Sequence, residues 1–168
     1  MDDSRTITNA DKIFELAKYL DSNDEYSLVS GNVLERGSLN GKYTFLFEVN
    51  DKAKVKNSIK KNDKIEIKIQ HKKITDLEVI DDDLELYQTH VGVNCFIART
   101  PILKKYKWDN KLKLVEHKHF FLKLYLNDVN VLYCDNFIFK QFSKELREYD
   151  KNALQLRWRM FKNNVSFH

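Results

Sequence analysis

Between Asp63 and His71 the sequence alternates without a fault, with Ile65, Ile67 and Ile69 set against Lys64, Glu66, Lys68 and Gln70. A period of two puts the isoleucines on one face of a strand and the polar residues on the other, the pattern of a half-buried antiparallel strand. The same period recurs in several short segments. Ser27, Val29, Gly31 and Val33 oppose Tyr26, Leu28 and Ser30. Tyr43, Phe45, Phe47 and Val49 oppose Lys42, Thr44, Leu46 and Glu48. Tyr87, Thr89, Val91, Val93, Cys95 and Ile97 oppose Gln88, His90, Gly92, Asn94 and Phe96, and Gly92 in mid-strand predicts a bulge or a bend. Ile74 to Ile80 reads as a further strand with Leu77 and Val79 inward, ended by Asp81-Asp82-Asp83. Segments this close together leave no room for βαβ crossovers, which argues against a doubly wound parallel sheet.

Turn signals connect the strands. Asn40-Gly41 is the strongest, and it predicts a hairpin joining the strand that starts at Tyr26 to the one over Lys42–Asn50. Asp51 to Lys61 is a basic connector in which Val55 and Ile59 can make a helical turn. After Pro101, Ile102–Trp108 and Leu112–Leu126 read as two strands joined near Asp109-Asn110. Val129–Cys134 and Phe137–Phe142 read as two more, joined at Asp135-Asn136. At the N-terminal end Ile13, Leu16, Ala17 and Leu20 form a helical stripe, with Thr8 or Asn9 as the cap. A second helix is expected from Ser143, with Leu146, Tyr149, Ala153, Leu156 and Met160 on its apolar side, and the tail from Asn163 is expected to fray.

The expected fold class is therefore α+β, mostly β: an antiparallel β-barrel or sandwich with an N-terminal and a C-terminal helix. One domain is expected, with a helix over 8–21, a first β-meander over 26–80, a second β region over 84–142 and a helix over 143–162. With 168 residues, 42% hydrophobic and 32% charged, the chain can bury one core and is not a disordered polymer. No apolar run approaches the roughly 18 residues of a membrane span, and Met1 to Arg5 is polar where a leader would be apolar. The expected location is intracellular and cytoplasmic, with no membrane partner. Cys95 and Cys134 are too few for a disulfide scaffold and are expected as buried thiols.

Charge is distributed in blocks around a net of +4. Residues 51–75 carry 9 basic and 3 acidic groups, 76–86 carry 6 acidic and none basic, and 87–123 carry 8 basic and 2 acidic. Basic faces are the electrostatic footprint of a polyanion. The stretch from Lys104 to Lys113 adds aromatics to cations. Tyr106 and Trp108, read as one face of a strand end, stand among Lys104, Lys105, Lys107, Lys111 and Lys113. Exposed rings among lysines are what base stacking with phosphate neutralisation requires. Arg157-Trp158-Arg159-Met160-Phe161-Lys162 repeats the theme.

The chain carries no GxSxG, HExxH, Walker or GxGxxG motif. His117 and His119, with a spacing of two on an expected strand, would share a face toward which Cys134, Cys95 or His90 could bring further metal ligands. A basic strand face explains the pair equally. Asp81-Asp82-Asp83, with Asp76, Glu78 and Glu85, could hold Mg²⁺, or could be a solvated turn or an acidic loop lying over the basic face.

Residues 60–69, Lys-Lys-Asn-Asp-Lys-Ile-Glu-Ile-Lys-Ile, resemble the Gly-Asp-x-Val-x-Val entry to a strand found in small β-barrels, OB-folds included. Asn62 stands where Gly is usual and can also take a left-handed turn conformation. Tyr26 to Ile80 would supply the opening meander. On this resemblance the chain is similar to OB-fold single-stranded nucleic-acid-binding proteins of the small type encoded by viruses and linear plasmids. The expected function is non-enzymatic binding of single-stranded DNA or RNA without a cofactor. Lys64, Lys68, Arg99, Lys104, Lys105, Lys107, Lys111 and Lys113 would line the groove, and Tyr106 and Trp108 would stack bases. The alternative is a protein-interaction module, a viral or plasmid-encoded inhibitor or a subunit that binds a partner or itself, and the third reading is a metal-dependent nuclease.

Overall fold

The computed structural model describes residues 5–35, 38–39, 43–93, 95–107, 116–141 and 165–168. Strand β1 (Arg5–Ile7) is followed by helix α1 (Asp11–Ser22) and by β2 (Tyr26–Glu35) and β3 (Ser38–Leu39). Next come β4 (Tyr43–Glu48), α2 (Lys52–Lys60) and β5 (Ile65–Lys73). After a 3-10 turn at Ile74–Asp76 the chain forms β6 (Val79–Asp81), β7 (Leu86–Thr89) and β8 (Phe96–Ala98). Two helices, α3 (Thr100–Lys105) and α4 (Glu116–Leu126), precede β9 (Asn130–Gln141) and β10 (Val165–Phe167). Strand exceeds helix among the described residues, so the α+β class holds.

Among the described residues two sheets form, and neither closes into a barrel. The larger runs β3-β2-β9-β7-β6, with β1 on β9 and β8 on β2. The smaller runs β10-β5-β4. The expected meander is not made: β2 pairs with β3, β8 and β9, while β4 pairs with β5 in the other sheet. The central β2–β9 pair is parallel, which corrects the all-antiparallel expectation. A parallel partner arrives only after a long crossover, here about a hundred residues of chain, and no short-range turn signal can announce it. Turn residues 40–42 lie outside the described residues.

The alternation of β2 survives this rearrangement because the sheet is covered on both faces. Val29, Val33, Leu132, Cys134, Phe137 and Phe139 pack with Leu16 and Leu20 of α1. Leu28 and Val131 turn the other way and pack with Phe120, Phe121, Leu122, Leu124 and Leu126 of α4, with Phe47 and Ile67 of the small sheet. Cys95 and Cys134 are buried thiols, as expected, and burial pushes the Cys134 thiol up.

The strands expected over Ile102–Trp108 and Leu112–Leu126 are helices where they are described. Pro101 sits in the first turn of α3, where its missing N–H costs nothing. α4 buries Phe120, Phe121, Leu122, Leu124 and Leu126 and leaves Lys123 exposed, so its apolar run shows neither period and reads as a buried strand. The strands expected over Val129–Cys134 and Phe137–Phe142 are, where described, one long strand, Asn130–Gln141, running through Asp135-Asn136. α1 begins at Asp11, and Asn9 does not cap it: its side chain donates to the Asn136 carbonyl and accepts from the Ile138 amide, tying the helix entry to β9. Ile74–Ile80 supplies a 3-10 turn and only a short strand, with Leu77 buried and Val79 outward. The tail does not fray at its end. β10 lies parallel to β5, with Val165 opposite Ile65 and Phe167 opposite Ile67. The helix expected over 143–162 lies outside the described residues.

Candidate nucleic-acid interface

The expected groove is dispersed in the structure. Tyr106 caps the end of α3 with its ring packed into the α4 core; only 8% of it is exposed, so it presents no stacking face. This corrects the strand reading: on a helix, Tyr106 follows Ile102 by four residues and shares its inward face. Arg99 is also structural. Its guanidinium donates to the carbonyls of Leu20, Asn23 and Tyr26, satisfying the end of α1 and the turn after it, with Asp24 at 3.6 Å. Lys68 lies on the outer face of the small sheet, 3.2 Å from Glu48, and Glu66 beside it pairs with His168 at 3.6 Å. That face is a mixture of charges, and Lys64 at its edge is exposed. Trp108, Lys111, Lys113 and the segment Arg157–Lys162 lie outside the described residues.

What the structure brings together is a cationic helical layer. α2 and α4 pack side by side, joined where the Lys52 ammonium meets Asp128 at 2.7 Å and lies 4.2 Å above the Tyr125 ring. Asp51 caps α2 by accepting from the Lys54 amide. α3 is tied to α4 by Lys123, whose ammonium donates to the Lys107 carbonyl at 2.8 Å. Lys54, Lys60, Lys104, Lys105, Lys107 and Lys123 are all exposed on this layer. The expected groove leaves out Lys54, Lys60 and Lys123. The basic block at 51–75 signals the first two, but Lys123 is hidden in an apolar run.

The acidic residues lie across the large sheet. α1 exposes Asp11, Glu15 and Asp21, and the hairpin of β6 and β7 exposes Glu78, Asp82 and Asp83. Ile80 and Leu84 anchor that hairpin in the α1 core, whereas α2, α3 and α4 belong to the other core. The acidic hairpin therefore does not cover the lysines, although the division of charge is incomplete: α1 also exposes Lys18, and Asp51, Asp63 and Asp128 are exposed beside α2 and α4. Asp81 has a local job, accepting from the Leu84 amide at 2.9 Å.

The metal alternatives find little support. His117 and His119 sit on α4, where a spacing of two turns them about 200° apart, and His119 lies edge-on to Phe167. Among the described residues no group of three or more His, Cys, Asp or Glu could hold a metal ion.

His90, a candidate metal ligand by sequence, is a packing histidine. Its Nδ1 accepts from the Phe47 amide at 2.9 Å, so β4 leans on the end of β7 through an imidazole. The ring stacks on Phe47 at 6.1 Å and lies 4.5 Å from Tyr125. Burial, and then the nearby Lys52 ammonium, hold its pKa down to about 4. A folded pKa below the unfolded value of roughly 6.5 means that the unfolded chain binds the proton first. The stabilisation is complete above about pH 6.5 and is lost as pH falls toward 4, with a size of about 2 kcal/mol once partial exposure to water is allowed for. Urea midpoints at pH 7.5 and pH 4.5 should show this loss, and His90→Gln should reduce it by that amount. An equal loss in both proteins would exclude His90 as the cause.

Among the described residues no helix is long and apolar enough to cross a membrane. No protein-family model, curated protein or solved structure matches this chain.

Proposed function

We propose that this protein binds nucleic acid, single-stranded DNA or RNA, through phosphate contacts made by the cationic layer of α2, α3 and α4. The observation that carries the reading is the group of exposed lysines that the packing gathers on α2, α3 and α4, Lys54, Lys60, Lys104, Lys105, Lys107 and Lys123, with the acidic β6–β7 hairpin packed against the other core. Cations on rigid helices neutralise phosphates and release counterions, and this term supplies most of non-specific affinity. Tyr106 is buried and takes no part in stacking.

The reading agrees with the resemblance of residues 60–69 to the OB-fold strand entry. Asn62 does adopt the left-handed conformation that the usual glycine takes there, with φ of 58°. A closed barrel is not required for this function, because the lysines stand on helices rather than in a barrel groove.

Fluorescence anisotropy of a labelled 30-mer, single-stranded and duplex, at low and moderate salt tests the proposal. Binding to single strands should weaken at least tenfold on raising salt from about 50 to about 200 mM. The absence of binding at low salt would remove it.

A further inference from the structure

We propose that Tyr43 and His71, at the open end of the small sheet, form a surface on which unpaired nucleobases stack, with Lys73 and Lys118 holding the adjoining phosphates. This rests on the nucleic-acid reading and deepens it, because it supplies a contact that a single strand can make and a duplex cannot.

The inner face of β4 and β5 is covered along only part of its length. Directly opposed residues of an antiparallel pair share a face, so Tyr43 stands with Lys73, Phe45 with His71 and Phe47 with Ile69. Where α4 covers this face it is core, with Phe47 3% exposed and Ile67 2%. The first turn of α4 places the Lys118 ammonium 4.8 Å from the centre of the half-buried Phe45 ring. Beyond Phe45 the face is open: Tyr43 is 61% exposed, and His71 and Lys73 are exposed beside it. His71 is steadied by meeting the Phe45 ring edge-on at 4.6 Å, and Phe45 is itself packed on the core. The rings therefore stand on paired strands rather than on a loop.

The charge at this end favours a polyanion. Among the described side chains, those charged on this part of the face are Lys73 and Lys118. The carboxylates of the two strands, Glu48 and Glu66, lie on the opposite face with Lys68. Asp51 and Asp128 belong to the far end, where β4 runs into α2 and α4 stops. Asp76 follows Lys73 by three residues, in a turn that leaves the sheet, with Ile74 and Leu77 packed against Tyr133. α4 also links the rings to the cationic layer, because Lys118 stands five residues, about 7.5 Å along the axis, before Lys123. A strand whose phosphates lie on the helices can thus bring its bases to Tyr43 and His71. Tyrosine and histidine rings accept unstacked bases of any sequence, whereas a duplex keeps its base faces inside its own stack.

Fluorescence anisotropy of two labelled 30-mers, oligothymidylate and an abasic deoxyribose-phosphate chain of the same length, separates rings from phosphates. At equal salt the wild-type protein should bind oligothymidylate at least about tenfold more tightly than the abasic chain. Tyr43→Ala should lower that ratio about fivefold or more, and adding His71→Ala should bring it near one. Tyr43→Phe keeps a ring and should keep the ratio. Phe14→Ala is the control, since it removes an exposed ring from α1 in the other core, and should also keep it. Thermal unfolding checks that each variant is folded; Tyr43 is largely in water, so its single variant should unfold like the wild type. A ratio near one in the wild-type protein, or an unchanged ratio in folded Tyr43→Ala, overturns the inference, while salt-dependent binding of both 30-mers would still uphold the phosphate reading. Failure of both 30-mers to bind at low salt removes that reading, and the inference with it.

Discussion

Gly31→Ala should destabilise the protein by at least about 3 kcal/mol, a large share of the roughly 5–15 kcal/mol that holds a domain folded. Gly31 sits in β2 at the point where its parallel partner leaves register. Ser30 is opposite Tyr133 and Asn32 is opposite Ile138, so residues 134–137 of β9 bulge against Gly31 alone. The bulge brings the Phe137 carbonyl oxygen to 2.3 Å from where a Cβ on Gly31 would stand, with the Phe139 ring at 2.9 Å. Backbone cannot rotate away as a side chain can, and Phe137 and Phe139 are both fixed in the α1 core. The whole β2–β9 seam would have to open. Gly92 provides the contrast: its Cβ would meet the Ser30 side chain at 2.5 Å. Ser30→Gly should therefore recover part of the loss caused by Gly92→Ala, whereas Phe139→Leu should not rescue Gly31→Ala. Urea denaturation measures all of these, and an unchanged midpoint for Gly31→Ala would mean that β9 does not cross β2 in this way.

These contacts also mark what could be read in the sequence. Alternation identifies the strand faces correctly at Val29 and Val33 against Leu28, and at Ile67 in the small sheet, because local pleating decides which side a residue takes. Asn62 and Asp128 are positive-φ residues at expected breaks, since Asn and Asp tolerate that conformation cheaply. Pairing was not legible. Whether Tyr26–Glu35 meets Tyr43–Glu48 or Asn130–Gln141 depends on which helix covers each face, and that is settled by tertiary packing. α4 misleads for the same reason: with Lys123 the one fully exposed side chain among those described, it lacks the polar stripe by which a surface helix is recognised. That error moved Tyr106 from the core to the surface and put a stacking platform where the structure has a packed ring. The basic character of the region survived, because charge on exposed helices is independent of the period assigned to them.

This difference sets the expected behaviour of the two kinds of variant. Tyr106→Ala should act on stability, with a loss of about 3 kcal/mol from removing a buried ring, and should leave the affinity of the remaining folded protein nearly unchanged. Reversing Lys104, Lys105 and Lys107 together to Glu should do the opposite. None of the three ammonium groups is buried, and Lys107 holds Lys123 through its backbone carbonyl, which the substitution keeps. Folding should therefore be unaffected. If each lysine neutralises one phosphate, the plot of log affinity against log salt should become shallower by about 2–3. Affinity at low salt should fall roughly a hundredfold or more, uniformly across sequences, because phosphate contacts carry no base information. Lys68→Glu on the mixed-charge face of the small sheet is the control and should change affinity little, since Lys68 already faces Glu48. If Tyr106→Ala abolished binding in a folded protein while the triple reversal preserved it, the interface would lie elsewhere and the ring would be reachable after all. If both left binding intact, the cationic layer of α2, α3 and α4 would not be the site.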